Sequence, residues 1–210
     1  MWEGSFVASP PVYDPGPTLL LRRFEDAKDL VAAVAHARAA RAAQIVAPAG
    51  DPALLVAAGF SVASDWWTGA PPLEESAATA TEDDLDRLVA WGAQRRAAYE
   101  RVLPVFWHPA ADAEAKHRPY LRHLIESDHA TVVVCDEGFL VAERLRTGEV
   151  QIDDFVVDRT ELWDTAGRAL LRSVGGRPLT VICARHDEPK RALLASEGFT
   201  IRNSWHVLTL

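Results

Sequence analysis

The chain has 210 residues, of which 49% are apolar and 25% charged, a balance that predicts a folded protein with a hydrophobic core and excludes a disordered one. Its formal net charge of -8, without a Lys- or Arg-rich tract, excludes a nucleic-acid partner; the acidity serves solubility or favours cationic partners such as amines. No apolar run reaches the roughly 18 residues that a membrane span needs, and the first residues do not resemble a signal peptide. Cys135 and Cys183 lie in apolar β-branched runs, which predicts buried thiols in the cytoplasm rather than a disulfide.

The first third of the chain predicts irregular structure followed by alternating strands and helices. Residues 1–17 are rich in Pro and Gly, which is typical of an irregular segment. The predicted elements after it are a strand at 18–21, a helix at 26–41, a strand at 44–47, a short helix at 51–58 and a strand at 60–67. Asp51 is placed to cap the short helix, and Gly59 is placed to end it.

A Pro- and Glu-containing stretch, followed by a possible short strand at 77–80, precedes a longer second unit. Thr81 and Asp84 form a near capping box for a helix that Pro104 ends, and a second helix is predicted at 110–127 with an interruption near Pro119. Three β-rich runs joined by tight turns, at 130–136, 139–146 and 149–157, predict an antiparallel meander. The predicted elements that follow are a helix at 162–174, a strand at 179–184, a helix at 189–197 and a strand or hairpin ending at 210.

The sequence predicts that one unit is used twice. Residues 53–60 and residues 192–199 both carry two adjacent leucines shortly before Gly-Phe, and a tryptophan, Trp66 or Trp205, follows each Phe by six positions. The elements before each copy also occur in the same order. The predicted organisation is a truncated half-repeat in residues 1–70, a linker in residues 71–78 and a full domain in residues 79–210.

Residues 79–210 resemble the GNAT superfamily of acyl-CoA-dependent N-acetyltransferases. The stretches that carry the resemblance are 80–85, 152–157, 166–171 and 187–199, and residues 18–68 look like the second half of another such domain. The resemblance implies an α/β (α+β) fold with a mixed, mostly antiparallel sheet flanked by helices. It also implies a sheet that splays between its fourth and fifth strands, where the pantetheine arm of acetyl-CoA or another acyl-CoA lies.

The resemblance implies two groups of cofactor-binding residues. They are Phe155, Val156 and Val157 on the central strand and Thr165, Ala166, Gly167 and Arg168 at a helix N-terminus. Free N–H groups at such a terminus bind a pyrophosphate. Leu162 stands where the family has Gln or Arg, and Thr165 replaces the first glycine, so its Cβ limits the approach of a phosphate. The alternative is an amphipathic helix start with no ligand.

The implied chemistry is attack of a primary amine, on a small molecule or a protein, on a thioester. Asp153 or Asp154 is the candidate general base; as neighbours on a strand they are expected to point to opposite faces, so that one faces the cleft. The alternative is that they cap neighbouring structure or pair with an arginine. A backbone N–H near Val156 or Val157 would polarise the carbonyl. The family's general-acid tyrosine is replaced by Leu194.

The region of the first two helices is where the resemblance places the acceptor. Its candidate pocket residues are Tyr99, Phe106 and Trp107, and aromatic side chains at such a corner also occur as core. Tyr99, Tyr120 or water would have to replace the missing general acid. His117 and His123 lack the spacing of a helical metal pair, so no metal is predicted.

Three functions remain open on the sequence alone. The first is an N-acetyltransferase, and the second is a non-catalytic protein of the same fold that acts as an acyl-CoA sensor or a protein-interaction module. The third is that the half-repeat supplies a homodimer surface or completes a shared sheet, because an exposed sheet edge must be paired or covered.

Overall fold

The computed structural model describes residues 1–7, 12–48 and 50–210. The strands are β1 (Glu3–Val7), β2 (Thr18–Arg23), β3 (Gln44–Ala47), β4 (Ser61–Gly69), β5 (Ala78–Thr79), β6 (Ala130–Cys135), β7 (Gly138–Arg144), β8 (Val150–Val157), β9 (Leu179–Ala184) and β10 (Thr200–Thr209). The helices are α1 (Ala27–Ala39), α2 (Pro52–Ala57), α3 (Leu85–Val102), α4 (Ala113–Ile125), α5 (Arg168–Ser173) and α6 (Glu188–Ser196). The mixed α/β fold class predicted from the sequence is confirmed.

The ten strands found in the described residues form one sheet, in the order β1-β2-β3-β10-β4-β9-β8-β7-β6-β5. Strand β10 lies between β3 and β4, and β4 lies between β10 and β9, with every one of these pairs antiparallel. The pairs β2–β3 and β8–β9 are parallel and occupy matching places on the two sides of this centre. The chain therefore contains two runs with the same order of elements, β2-α1-β3-α2-β4 and β8-α5-β9-α6-β10. These runs interlock, because the last strand of each run pairs with strands of the other run. The half-repeat pairs with β10 of its own chain.

Local sequence signals account for several element ends. The Asp51 carboxylate accepts from the Ala53 N–H and so caps α2, and Gly59 follows that helix with φ +88°, a conformation that favours glycine. Thr81 and Asp84 form the predicted capping box before α3. The predicted domain boundaries stay a prediction, and the sheet runs across them without a break.

Two predictions about local structure are wrong. Residues 3–7 form strand β1 on the edge beside β2, although the segment was expected to be irregular. Helix α4 runs through Pro119 without the expected interruption. Pro119 is exposed, while His117, Leu121 and Leu124 of the same helix are buried, and this packing offsets the hydrogen bond that the proline removes.

The core lies on both faces of the sheet. On one face α3 and α4 pack on β6, β7 and β8, and on the other the α5 and α6 helices cover β8 and β9. Cys183 is buried and Cys135 is half-buried, and both are free thiols. Across the described parts of the chain, no helix has both the length and the apolarity needed to cross a membrane.

Candidate active-site cleft between β8 and β9

Strands β8 and β9 separate part-way along their length. The parallel ladder joins Val150 to Leu179, Gln151 to Thr180 and Ile152 to Val181, and then it stops. Both strands continue beyond that point, to Val157 and Ala184. The sheet therefore splays at the place that the sequence resemblance implies.

Strand β8 carries a bulge at this point. Leu140 of β7 lies opposite Phe155 and Ala142 opposite Ile152, so β8 has one residue more than β7 between the pairs. Because a bulge breaks the alternation of side chains, Asp153 and Asp154 both reach α4 on the same face. The Tyr120 hydroxyl donates to Asp153 at 2.5 Å, and His117 Nε2 donates to Asp154 at 2.9 Å. The prediction that these carboxylates point to opposite faces is wrong.

Asp154 ends a buried polar chain. Arg96 Nη1 lies 3.2 Å from His117 Nδ1. Because a guanidinium can only donate, Nδ1 must accept, and the ring proton is then on Nε2, which donates to Asp154. Burial alone would raise the pKa of Asp154, but the hydrogen bond from His117 and the nearby charges of Arg96 and Lys190 hold it below its usual range. Asp154 is thus held as a carboxylate.

Asp153 differs from its neighbour because it lies at the edge of the site and is exposed, whereas Asp154 is half-buried. The surrounding protein and the Asp154 carboxylate raise the pKa of Asp153 to about 6, against the hydrogen bond from Tyr120. A carboxyl group in this range can accept and release a proton near neutral pH. Of the two candidate bases, Asp153 is the one with the suitable proton affinity.

Lys190 of α6 bridges the splayed strands. Its ammonium donates to the Ile182 carbonyl of β9 at 3.3 Å and lies 5.2 Å from the ring centroid of Phe155 on β8. The residue is only 4% exposed. The ammonium therefore lies where the two strands part, at the place where the sequence resemblance implies a pantetheine arm.

Trp163 closes the cleft from the other side. Residues 160–167 form a 3₁₀ turn and a π-helical turn that continue into α5, so the predicted phosphate loop is helical. Trp163 is 3% exposed and packs edge-on against Phe155. A Cβ on Gly167 would lie 2.9 Å from the Trp163 ring and 3.1 Å from a Leu193 methyl of α6. The turn before α5 and helix α6 thus touch each other directly at Gly167.

Most of the predicted cofactor-binding residues lie in the protein interior. The members that lie in the protein interior are Phe155, Val156, Val157, Ala166 and Gly167. Thr165 is exposed, and the guanidinium of Arg168 is bound to Asp164 and Glu197. As placed here, these residues do not fit an acyl-CoA. Their assignment to a cofactor stays a prediction, and the packing disfavours it.

The predicted pocket aromatics form one cluster at the end of α3. Trp107 packs against both Phe106 and Tyr99, with ring centroids 4.6 and 5.2 Å apart. The Tyr99 hydroxyl donates to Asp187 at 3.0 Å, and the same carboxylate is ion-paired with Arg95. Tyr99 is thus engaged in holding α3 to the start of α6.

A cavity of about 670 Å³ lies beside this cluster, between α3 and the start of α4. Arg96 lines it, and the 109–115 segment closes its other side. Sequence reasoning missed Arg96, Lys190, and the roles of His117 and Tyr120 as partners of the carboxylates. The spacing of His117 and Tyr120, three residues apart on one helix, was the available signal.

Comparison with solved structures identifies the fold. A GNAT-family acetyltransferase from Colwellia psychrerythraea is 10% identical, with a TM-score of 0.51 over 80% of this chain and 65% of that one. A GCN5-related N-acetyltransferase from Kribbella flavida is 12% identical, with a TM-score of 0.44 over 94% of this chain and 54% of that one. A tandem GNAT protein from the clavulanic acid biosynthesis pathway is 16% identical, with a TM-score of 0.46 over 92% of this chain and 75% of that one.

This chain has the GNAT fold, and the resemblance predicted from its sequence is confirmed at that level. The chain spans less than two thirds of the length of the Colwellia and Kribbella proteins. No protein-family model and no curated protein matches the sequence.

Proposed function

We propose that this chain is a non-catalytic protein of the GNAT fold that does not take an acyl-CoA between β8 and β9. The single observation that carries the proposal is the filling of that cleft by two buried side chains, Lys190 from α6 and Trp163 from the turn before α5. Opening the cleft would expose Trp163 and leave the Ile182 carbonyl without its donor, and both changes cost free energy.

Independent departures support the same proposal. The segment that would bind a pyrophosphate is helical, and Arg168 within it is neutralised by two carboxylates. Glu197 also binds Arg172, so one buried carboxylate clamps α5 to α6. Leu194 stands in place of the general-acid tyrosine. The predicted anion site, the arm cleft and the general acid therefore all differ from what acyl transfer from an acyl-CoA requires.

N-acetyltransfer from acetyl-CoA to a primary amine is the second candidate. The observations that favour it are the separation of β8 from β9 and the raised pKa of Asp153, which suits a general base. The acceptor would be an amine of a small molecule or a protein, near the cavity beside Arg96.

Calorimetric titration with acetyl-CoA separates the two candidates. We expect no binding up to about 1 mM, a limit of about -4 kcal/mol. The informative variant is Lys190→Ala, which removes the bridging ammonium, and its matched control is Lys116→Ala, an exposed lysine.

Each result of this titration has a definite meaning. No binding by the wild type, with binding gained by Lys190→Ala alone, would show that Lys190 closes the cleft. Micromolar binding by the wild type would overturn the proposal. An acetyl-transfer assay with amines, on the wild type and on Asp153→Asn, would then distinguish the second candidate from a non-catalytic acyl-CoA sensor.

A further inference from the structure

Strand β1 leaves one edge of the sheet open. It pairs with β2 on one side, and among the described residues no strand lies on its other side. Four of its five residues are exposed. Backbone N–H and C=O groups on such an edge can pair with another strand. The strand at the opposite end of the sheet, β5, is two residues long, and an edge this short offers little to pair with.

Two aromatic side chains flank the middle of the β1 edge. Phe6 is 47% exposed, and Trp2 is half-buried. Both rings lie beside the His36 ring of α1, with ring centroids 6.3 and 5.3 Å away, so they share the face of the sheet that α1 covers. Exposed aromatic surface next to unpaired strand groups is typical of an interaction surface.

The edge is complementary to a second copy of itself. Residues 2–6 read aromatic, polar, glycine, polar, aromatic, an order that is the same in both directions. When two copies pair antiparallel with Gly4 opposite Gly4, Trp2 of each copy lies opposite Phe6 of the other. This register forms two aromatic cross-strand pairs, which stabilise a sheet.

The surroundings of the edge permit this pairing. Glu3, the one charged residue of β1, lies opposite Ser5 of the other copy in this register, so no like charges meet on the strands. On α1, the exposed Ala32 lies one turn before His36, on the flank beside β1. A side chain as small as alanine leaves room for the α1 helix of the second copy.

We propose that β1 is a homodimer edge, at which a second copy of this chain pairs antiparallel about a two-fold axis at Gly4. The dimer joins two ten-stranded sheets into one, and Trp2 of each copy covers the exposed Phe6 ring of the other. This association is independent of whether the cleft between β8 and β9 takes an acyl-CoA.

Sedimentation equilibrium of the full chain measures the association. The salt concentration is about 0.15 M, because each copy carries a net charge of -8 and the screening length is then about 8 Å. We expect a monomer–dimer equilibrium with a Kd of about 50 µM or lower. A monomer mass at all concentrations up to about 0.5 mM would overturn the proposal.

Phe6→Lys tests whether the association uses this edge. A lysine there places a charge in the pairing region, so the Kd should rise at least about tenfold. Its matched control is Val56→Lys, which introduces the same charge at a residue of α2 that is 59% exposed and should leave the Kd unchanged. An unchanged Kd in Phe6→Lys would place the interface elsewhere and overturn the proposal.

Disulfide trapping tests the register and remains decisive where Phe6→Lys disturbs folding. Directly opposite residues of antiparallel strands have Cα atoms about 4.5–5.5 Å apart, within reach of a disulfide. Glu3→Cys and Ser5→Cys should therefore cross-link to each other in an oxidised mixture. Either variant oxidised alone should not, because its equivalent positions are two residues out of register. A mixture with no more cross-linked dimer than the separate variants would overturn the proposal.

Discussion

Trp66 and Trp205 stack on each other at the centre of the sheet, with ring centroids 5.8 Å apart and planes inclined by 26°. They occupy the same place in the two related runs, six residues after Phe60 and Phe199. Strands β4 and β10 pair here, so the two landmarks that reveal the internal similarity in the sequence are contact partners in the fold.

This stacking predicts energetic coupling between the two runs. In a double-mutant cycle, Trp66→Ala and Trp205→Ala should show a coupling energy of about 0.5–1.5 kcal/mol, because each variant already loses the shared contact. Urea unfolding of the four proteins measures it. Strictly additive changes would mean that the rings stabilise their strands separately.

The interlocked strands also predict that the two predicted units do not fold apart. A chain of residues 79–210 lacks β3 and β4, the two neighbours of β10, and so leaves both edges of β10 and one edge of β9 unpaired. It should lack the near-UV circular dichroism of the full chain, and adding residues 1–70 as a separate polypeptide should restore it. A cooperatively folded 79–210 fragment would contradict this view.

We predict that replacing Asp65, at the centre of the sheet, lowers the free energy of unfolding strongly. Its carboxylate is 1% exposed and accepts from Ser204, Arg185 and Arg191. Asp65→Asn should lower the free energy of unfolding at pH 7 by about 3–5 kcal/mol, because it leaves the largely buried guanidinium of Arg191 without its partner.

The pH dependence of this penalty has a definite sign. Burial would raise the pKa of Asp65, but the bonds from Ser204, Arg191 and Arg185 outweigh it and lower the pKa. A lowered pKa stabilises the fold above the unfolded value of about 3.9, and the contribution is lost as the pH falls through the folded value. Urea unfolding at pH 7 and pH 3 should therefore show a smaller effect of Asp65→Asn in acid; an equal effect would rule out a charge-based origin.

For Asp153 we predict the opposite dependence of stability on pH. Its pKa is raised, so between about pH 4 and its folded value the native state binds more protons than the unfolded state, and stability falls as the pH rises through that window. Asp153→Asn should remove this fall. Tyr120→Phe should raise the pKa of Asp153 further, because a hydrogen bond to the carboxylate is lost. Carboxyl ¹³C NMR titration measures both, and a pKa near 4 in the wild type would contradict the prediction.

We predict that a glycine is required at position 167 by packing and not by phosphate binding. Gly167→Ala should cost about 1–3 kcal/mol, because the new methyl group would lie 2.9 Å from Trp163. In the Trp163→Phe background the added cost should be smaller. Urea unfolding of the single and double variants measures it; equal costs in both backgrounds would mean that Trp163 is not the obstacle.

The sequence predicted the order of elements well because that order depends on local periodicity, caps and turns. Strands β3 and β9 have the predicted bounds, and Gly59 ends α2 as expected. The site was harder to predict for three physical reasons. The bulge at Asp153 can be recognised only by comparing β8 with its partner strand β7. The hydrogen bond from Arg96 to His117 joins residues 21 positions apart in the sequence. Lys190 lies on helix α6, which packs on the far side of the cleft. No local pattern carries such distant contacts.

The position of β10 also constrains how the chain reaches its native state. Although it is the last strand along the described chain, it lies between two strands from the first third, so most of the sheet's centre depends on pairings of high sequence separation. Such topologies fold slowly. Until residues 200–209 have left the ribosome, β3 and β4 both present open edges, and the nascent protein is exposed to pairing with other chains. Synthesis rate and chaperone supply are thus expected to govern its yield more than its final stability does.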